Sequence, residues 1–222
     1  MNATKPNLFL FSACFAAASL GCAAAAQAAD DSGWYLGAGI GKSKGDDMGK
    51  AAATVDASLA AQGITSSTSF SGTNTAGKLF GGYQFNRVLG LEAGYSDLGR
   101  FSANSVITAP APDSGSGTWK PGNVLSLAAI GSVPVWKELS AFGKLGVAYS
   151  KVDFSYTAPV SGVAISQSSS HTTPLLGAGL KYDIDKHVAL RGEWERYLNL
   201  GDNSTTGRSD VNLWTVNLQY RF

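Results

Sequence analysis

Val211–Phe222 reads VNLWTVNLQYRF, which sets Trp214, Val216, Leu218, Tyr220 and Phe222 on one side of an extended chain and Thr215, Asn217, Gln219 and Arg221 on the other. Strict alternation at period two marks a β-strand lying between two different environments. One side is apolar and rich in aromatics; the other is polar and carries a cation. In a soluble sandwich the polar side would meet bulk water. In a transmembrane barrel the apolar side meets lipid and the polar side meets the lumen. The rest of the chain decides between the two.

The pattern recurs in seven earlier segments. Trp34–Gly41 turns Trp34, Leu36, Ala38 and Ile40 outward against Tyr35, Gly37, Gly39 and Gly41, and glycines suit the crowded interior of a narrow barrel. Gly77–Phe85 turns Leu79, Gly81, Tyr83 and Phe85 outward. Val88–Leu98 does the same with Leu89, Leu91, Ala93 and Tyr95, leaving Glu92 inward. In Asn123–Val133 the alternation blurs at Leu127-Ala128-Ala129-Ile130, which predicts a bulge and leaves the facing of this strand open. From Leu139 to about Phe154, Leu145, Val147 and Tyr149 face out and Lys144 in. Thr173–Ile184 shows Leu176, Ala178, Leu180 and Tyr182 outward, with Lys181 and Asp183 inward. In Val188–Leu198, Leu190, Gly192, Trp194 and Arg196 oppose Arg191, Glu193 and Glu195.

The connections alternate in length. Residues 42–75, 99–122, 155–171 and 201–210 form four long, mostly Ser-, Thr- and Gly-rich loops, the first with a short Ala-rich helix over Ala51–Ala61. Asn86-Arg87, Pro134–Glu138 and Asp185-Lys186-His187 form short turns. A sandwich has no reason to put every long loop at one end, whereas a membrane barrel has short periplasmic turns and longer external loops. The expected fold is therefore all-β, an eight-stranded antiparallel transmembrane barrel. An even strand number lets the first and last strands close antiparallel, so that no backbone group is left unpaired in lipid.

Ahead of the first strand, Lys5 is the sole charged side chain before Asp30, Leu8–Leu20 is a short apolar run, and Ala26-Gln27-Ala28 offers a small-residue cleavage site. This is the plan of a secretory signal peptide over residues 1–28, cut after Ala28 or Ala29. A lipidated cysteine needs Leu three residues before it, but Cys22 has Ser19 there and Cys14 has Phe11. Both cysteines leave with the leader, so the exported domain, residues 29–222, has no disulfide to stabilise it. The chain holds 17 Lys and Arg against 16 Asp and Glu. Loss of Lys5 balances them, which argues against nucleic acid as a partner. The longest uncharged run after the leader, Phe154–Leu180, is too rich in Ser, Thr, Gly and Pro to be a membrane helix.

Four stretches carry a family likeness: WYLGAGIG from Trp34, LFGGYQFNRVLGLEAGYSDLGR from Leu79 to Arg100, GKLGVAYS from Gly143, and LRGEWERYLNLGD from Leu190. Together they resemble the transmembrane domain of OmpA-like outer-membrane proteins over nearly the whole chain after the leader, loops excepted. The resemblance implies a barrel in the outer membrane of a Gram-negative bacterium, a structural role, and lipid and lipopolysaccharide as neighbours. The aromatic last strand resembles the C-terminal signature that the barrel-assembly machinery reads, which makes Tyr220 and Phe222 the assembly signal. Larger members continue into a periplasmic peptidoglycan-binding domain; this chain stops at the barrel, so a cell-wall anchor is not expected. A monomer is expected.

No catalytic, cofactor or metal set emerges. The two histidines, His171 at a loop–strand junction and His187 in a tight turn, have no cysteine partner after the leader and no ligand spacing. Ser168, Ser169 and Ser170 precede His171, but no strand carries a His-x-Ser motif of the lipid A deacylase kind. The Gly81-Gly82 pair is followed by neither a helix nor a Lys-Ser/Thr step, so it is not a phosphate loop. The chain is expected not to be an enzyme.

Charge does converge on the inferred lumen, where Lys78, Lys144, Lys181, Arg191 and Arg221 face Glu92, Asp183, Glu193 and Glu195. An eight-stranded barrel is just wide enough for side chains to fill, so these groups are expected to pair across it and block a water path, with Lys144 or Arg191 as the cation for Glu92. Arg100, Lys151 and Arg196 fall near the outer strand ends, where they are candidate contacts for lipopolysaccharide phosphates. The readings that follow are a structural barrel displaying its loops for envelope integrity or adhesion to a host or surface ligand, a small pore, and a lipid-modifying enzyme.

Overall fold

Alternation of apolar and polar residues fixes the facing of each strand, and closure fixes their neighbours. In the computed structural model, which describes residues 32–46, 56–57, 60–61, 63–109, 112–158, 163–202 and 207–222, eleven strands form one antiparallel sheet. They are β1 (Gly33–Gly45), β2 (Thr65–Phe70), β3 (Thr73–Gln84), β4 (Leu89–Asp97), β5 (Phe101–Ala109), β6 (Asp113–Lys120), β7 (Asn123–Pro134), β8 (Leu139–Ala158), β9 (Val163–Asp183), β10 (Val188–Asp202) and β11 (Gly207–Arg221). Eight of them close into a barrel in the order β1-β3-β4-β7-β8-β9-β10-β11, with β1 pairing β11 from Tyr35↔Arg221 to Gly45↔Val211. These are the eight strands expected from the sequence.

The outer wall is apolar throughout its middle: Leu36, Ile40, Leu79, Leu125, Leu145, Leu180, Val216 and Leu218 are all exposed. In water this surface would be untenable; in lipid it is the required one. Aromatic rings bracket it. Trp34, Tyr83 and Phe85 stack edge to face at one rim, joined there by Tyr220 and Phe222. Trp194 and Trp214 meet at 6.0 Å at the other, where Trp214 lies opposite Lys42. Eight residues separate Trp34 from Lys42 along β1; at about 3.3 Å per residue and a tilt of roughly 40°, that is about 20 Å of membrane depth.

The loops differ most from expectation. Residues 99–122 hold the hairpin β5–β6, 42–75 hold β2 and the ends of β1 and β3, and 155–158 and 163–171 are the upper parts of β8 and β9. Residues 201–210 include the ends of β10 and β11. The physical reason is pairing. β8 and β9, at 20 and 21 residues, far exceed the roughly 9–11 residues a tilted strand needs to cross a membrane. β7 covers β8 up to Ser150, and above that level β6 takes over the edge, from Lys120↔Asp153 to Ser116↔Thr157. Pro121 and Gly122, the latter at φ +47, break β6 from β7. β5 and β2 then add outside β6, so a wall of strands stands above the membrane.

Two further expectations are corrected. β7 has no bulge: its register with β4 and β8 is unbroken, with Val124, Ser126, Ala128 and Ile130 inward. The alternation blurs because the lumen beside β7 is itself apolar. His171 lies within β9, opposite Ser150, not at a junction. Of the helix expected over Ala51–Ala61, residues 56, 57 and 60 are helical; the others, apart from Ala61 in a turn, lie outside the described residues, as does the signal peptide.

Candidate functional site

The lumen is the place where this sequence concentrates chemistry, and it is built in three layers. Nearest the short turns, Tyr35, Phe80, Ile130 and Phe142 form an apolar layer. The glycines of β1 make room for it: a Cβ at Gly37 would run into the Phe80 ring, and one at Gly41 into the β11 backbone at Trp214.

Above that layer lie six charged side chains, all buried. Glu92 on β4 accepts from Lys144 Nζ, from Arg191 Nη1 at 2.8 Å and from the Tyr35 hydroxyl at 3.1 Å. Both cations named for it therefore reach it. Glu193 accepts from Arg191 Nη2 at 2.9 Å, lies 2.8 Å from Lys144 Nζ and also pairs with Lys78. Glu195 holds Lys78 at 2.6 Å and Lys144 at 3.0 Å, and its second oxygen accepts from the Tyr197 hydroxyl at 2.9 Å. The guanidinium of Arg191 sits 4.5 Å from the centroids of both Phe80 and Phe142, so its charge is also faced by two ring surfaces. Three cations meet three carboxylates, and the layer is neutral.

The three carboxylates lie close enough to ligate an ion. Lysine and arginine nitrogens already occupy their oxygens, so the donor set does not fit a metal without expelling its own cations.

The third layer, toward the external loops, is again apolar. Leu98, Phe101, Trp119, Val152, Leu175, Tyr197, Leu200, Val211 and Leu213 are packed there, most of them wholly buried. The sequence reading missed this layer. Its signal lay in apolar residues at inward positions, such as Leu175 two places before Gly177 and Leu213 two before Thr215.

The remaining expected lumen residues are elsewhere. Lys181 and Asp183 pair at 3.1 Å, half-exposed at the mouth beside the short turns. Arg221 lies at that mouth too, near Gly33 and outside the central cluster. Beside them Asp185 accepts from the backbone of His187 and Val188, which holds its carboxyl below the usual range; His187 stacks on Tyr220.

Of the three candidate phosphate contacts, Arg100 and Lys151 are exposed at the outer end. Arg196 is part-exposed and ion-paired. Its guanidinium is clamped by Asp46 at 2.9 Å and Asp210 at 2.8 Å, and Asp210 also accepts from the backbone of Asn199 in the bulge of β10. Held by two carboxylates, Arg196 ties the β1–β10–β11 seam.

The family model for an OmpA-like transmembrane domain matches residues 28–222. Outer membrane protein A of Salmonella typhi is 32% identical over 93% of the chain, and that of Yersinia pseudotuberculosis 34% over 93%. The chain spans about half the length of these relatives, 53% and 54%. Among solved structures, Neisserial surface protein A is similar at 16% identity and TM-score 0.46 over 87% of this chain and 100% of that one. A major outer membrane protein of Thermus thermophilus aligns at 15% identity and TM-score 0.49, over 86% and 99%.

Proposed function

Because this chain belongs to the OmpA-like transmembrane domain family and is an outer-membrane β-barrel, we propose that it is a structural anchor whose work is done by the strands it raises above the membrane. The observation that carries this reading is the filled lumen. A neutral, fully paired charge layer lies between two apolar layers, so water has no continuous polar route. An open pore would need the six charges to separate, and breaking one buried pair costs about 3–5 kcal/mol.

On this reading the signal peptide over residues 1–28 exports the chain, Tyr220 and Phe222 present it to the barrel-assembly machinery, and the barrel works as a monomer. Arg100 and Lys151 meet lipopolysaccharide at the rim. The raised sheet of β2, β5, β6, β8 and β9 serves envelope integrity or attachment to a host or environmental surface. The channel and the lipid-modifying enzyme are the competing readings. His171 lies opposite Ser150, whose hydroxyl donates to the Pro121 carbonyl.

Planar-bilayer recording of the purified protein tests the anchor against the channel. The expected trace is silent; large, stable, open-pore currents would establish the channel instead. A lipid A mass spectrum from cells with and without the gene tests the enzyme: a changed acylation pattern would replace the anchor reading.

A further inference from the structure

The lipid-facing wall carries several shallow grooves, and one of them ends beside lysines. Between Ile40 and Val216 on one side and Leu180 on the other, Gly192 leaves an open, shallow groove of about 690 Å³. A Cβ at Gly192 would meet no atom within 4 Å, so the gap is open space on the membrane side. Trp194 and Trp214 close its outer end. Lys42 stands there beside Trp214, and Lys44 follows on the same face, opposite Asn212.

These two lysines have no carboxylate partner among the described residues. The acids of this seam, Asp46 and Asp210, are both committed to Arg196. An apolar groove in the hydrocarbon band thus ends, at the aromatic rim, beneath two exposed lysines that form no ion pair among the described residues. We propose that this groove is a binding site for one phosphate-bearing lipid of the outer leaflet, with an acyl chain over Gly192 and the phosphate on Lys42 and Lys44. It extends the lipid-contact reading to another face of the barrel and needs neither Arg100 nor Lys151.

The two halves of the site do different things. A chain in the groove leaves one hydrocarbon environment for another, so no hydrophobic gain holds it there. Packing against Trp194, Trp214 and Leu180 orients it. Retention comes from the phosphate, because basic side chains at the headgroup level attract anionic lipid while lysines facing neutral headgroups gain nothing comparable. Charge, more than shape, therefore selects the occupant.

The test uses Trp194 and Trp214 as reporters. In the W34F/W136F background the remaining tryptophan, Trp119, is buried inside the barrel. The protein is reconstituted in phosphatidylcholine vesicles holding a few per cent of brominated-chain phosphatidate, a probe with a phosphate monoester head, or the same amount of brominated phosphatidylcholine. The expected result is stronger quenching by the phosphatidate, falling about fivefold in apparent affinity for each of K42Q and K44Q and weakening at high salt. Gly192→Leu, which fills the groove, should reduce quenching with both lysines intact, while an unchanged far-ultraviolet dichroism spectrum shows that the barrel is folded. Equal quenching by the two probes, or phosphatidate quenching untouched by K42Q/K44Q, overturns the proposal. Arg100 and Lys151 stay intact in every variant, so such a failure would leave their contact with lipopolysaccharide standing.

Discussion

Replacing Glu92 with Gln removes one charge and almost no volume, so it isolates the electrostatics of the lumen. Glu92 is the carboxylate that Lys144, Arg191 and Tyr35 share. As an amide it keeps one acceptor oxygen, but the layer then holds three cations and two carboxylates. Breaking a buried pair costs about 3–5 kcal/mol. The loss should fall near the lower end, because Lys144 keeps Glu193 at 2.8 Å and Glu195 at 3.0 Å, and Arg191 keeps Glu193 at 2.9 Å. About 3 kcal/mol is roughly a hundredfold in the folding equilibrium. Urea unfolding of the vesicle-inserted protein, followed by tryptophan fluorescence, reads it directly. The double variant E92Q/K144Q restores neutrality with two cations and two carboxylates, so its loss should be smaller than the sum of the single losses by about 2 kcal/mol, within the range of coupled neighbours. Planar-bilayer traces of E92Q should show small conductance steps absent from the unaltered protein. If E92Q unfolds within about 0.5 kcal/mol of the original protein, or if the two substitutions simply add, then the charges are solvated and the sealed-lumen argument fails.

Deleting Phe222, which lies exposed at the periplasmic rim, should leave the stability of folded barrel nearly unchanged but lower outer-membrane yield sharply; normal yield of the truncated chain removes its role as an assembly signal. Depth-labelled quenching should put Trp34 and Trp214 at opposite headgroup levels, and strong quenching of either at the bilayer midplane contradicts the two aromatic rims. Tyr197→Phe strips a buried donor from Glu195 and should cost about 1–3 kcal/mol, measured by the same urea titration; a neutral result places water beside Glu195. Outside the membrane, the hydroxyls of Thr68 and Ser66 and the Thr68 N–H all donate to Asp56, which lowers its carboxyl below the ordinary value. A depressed carboxylate stabilises above its unfolded value and loses that contribution as pH falls through the folded one. The contact between Asp56 and β2 should thus persist to below the ordinary aspartate range, and an Asp56 titration midpoint at or above that range in a carbon-13 nuclear magnetic resonance experiment counts against it.

Strand number, order of the wall and nearly all facings are legible in the sequence because period-two alternation is a local property, and the lipid face is uniform enough to keep it clean. Glu92 could be assigned cations from across the barrel for the same reason: an inward acid in a narrow lumen has few places to go. What the sequence hid is where the inner face changes character along the axis. Ile130 and Ala128 look like a fault in the pattern of β7 only if the lumen is assumed polar at every level; beside Phe80 and Phe142, Ile130 fits. The hairpin β5–β6 was hidden for another reason. Ser, Thr and Gly are as common in loops as in water-exposed strands, and what makes them strands here is a tertiary circumstance, the edge of β8 left bare above Ser150. The ion pairs of Arg196 were hidden because Asp46 and Asp210 come from distant parts of the chain and meet at the closure of the barrel, which no window of sequence displays.

The buried charges raise a question of energy, since apolar residues of the same size would fill the lumen with no charge to desolvate. Register gives one answer. Side chains alternate, so a slip by one residue turns every inward group outward. On β10 such a slip would drive Arg191, Glu193 and Glu195 into hydrocarbon and bring Leu190, Gly192 and Trp194 inside. Near the bilayer midplane each exposed Arg or Lys costs about 2–4 kcal/mol, and the same slip on β3 or β8 would expose Lys78 or Lys144. An all-apolar lumen would carry no such penalty, because its two faces would be interchangeable. Six charges drawn from β3, β4, β8 and β10 therefore fix the register of half the barrel strands at once. The remaining four, β1, β7, β9 and β11, carry no member of the central cluster, and their register is fixed instead by pairing with charged neighbours and by tight sites such as Gly37 and Gly41.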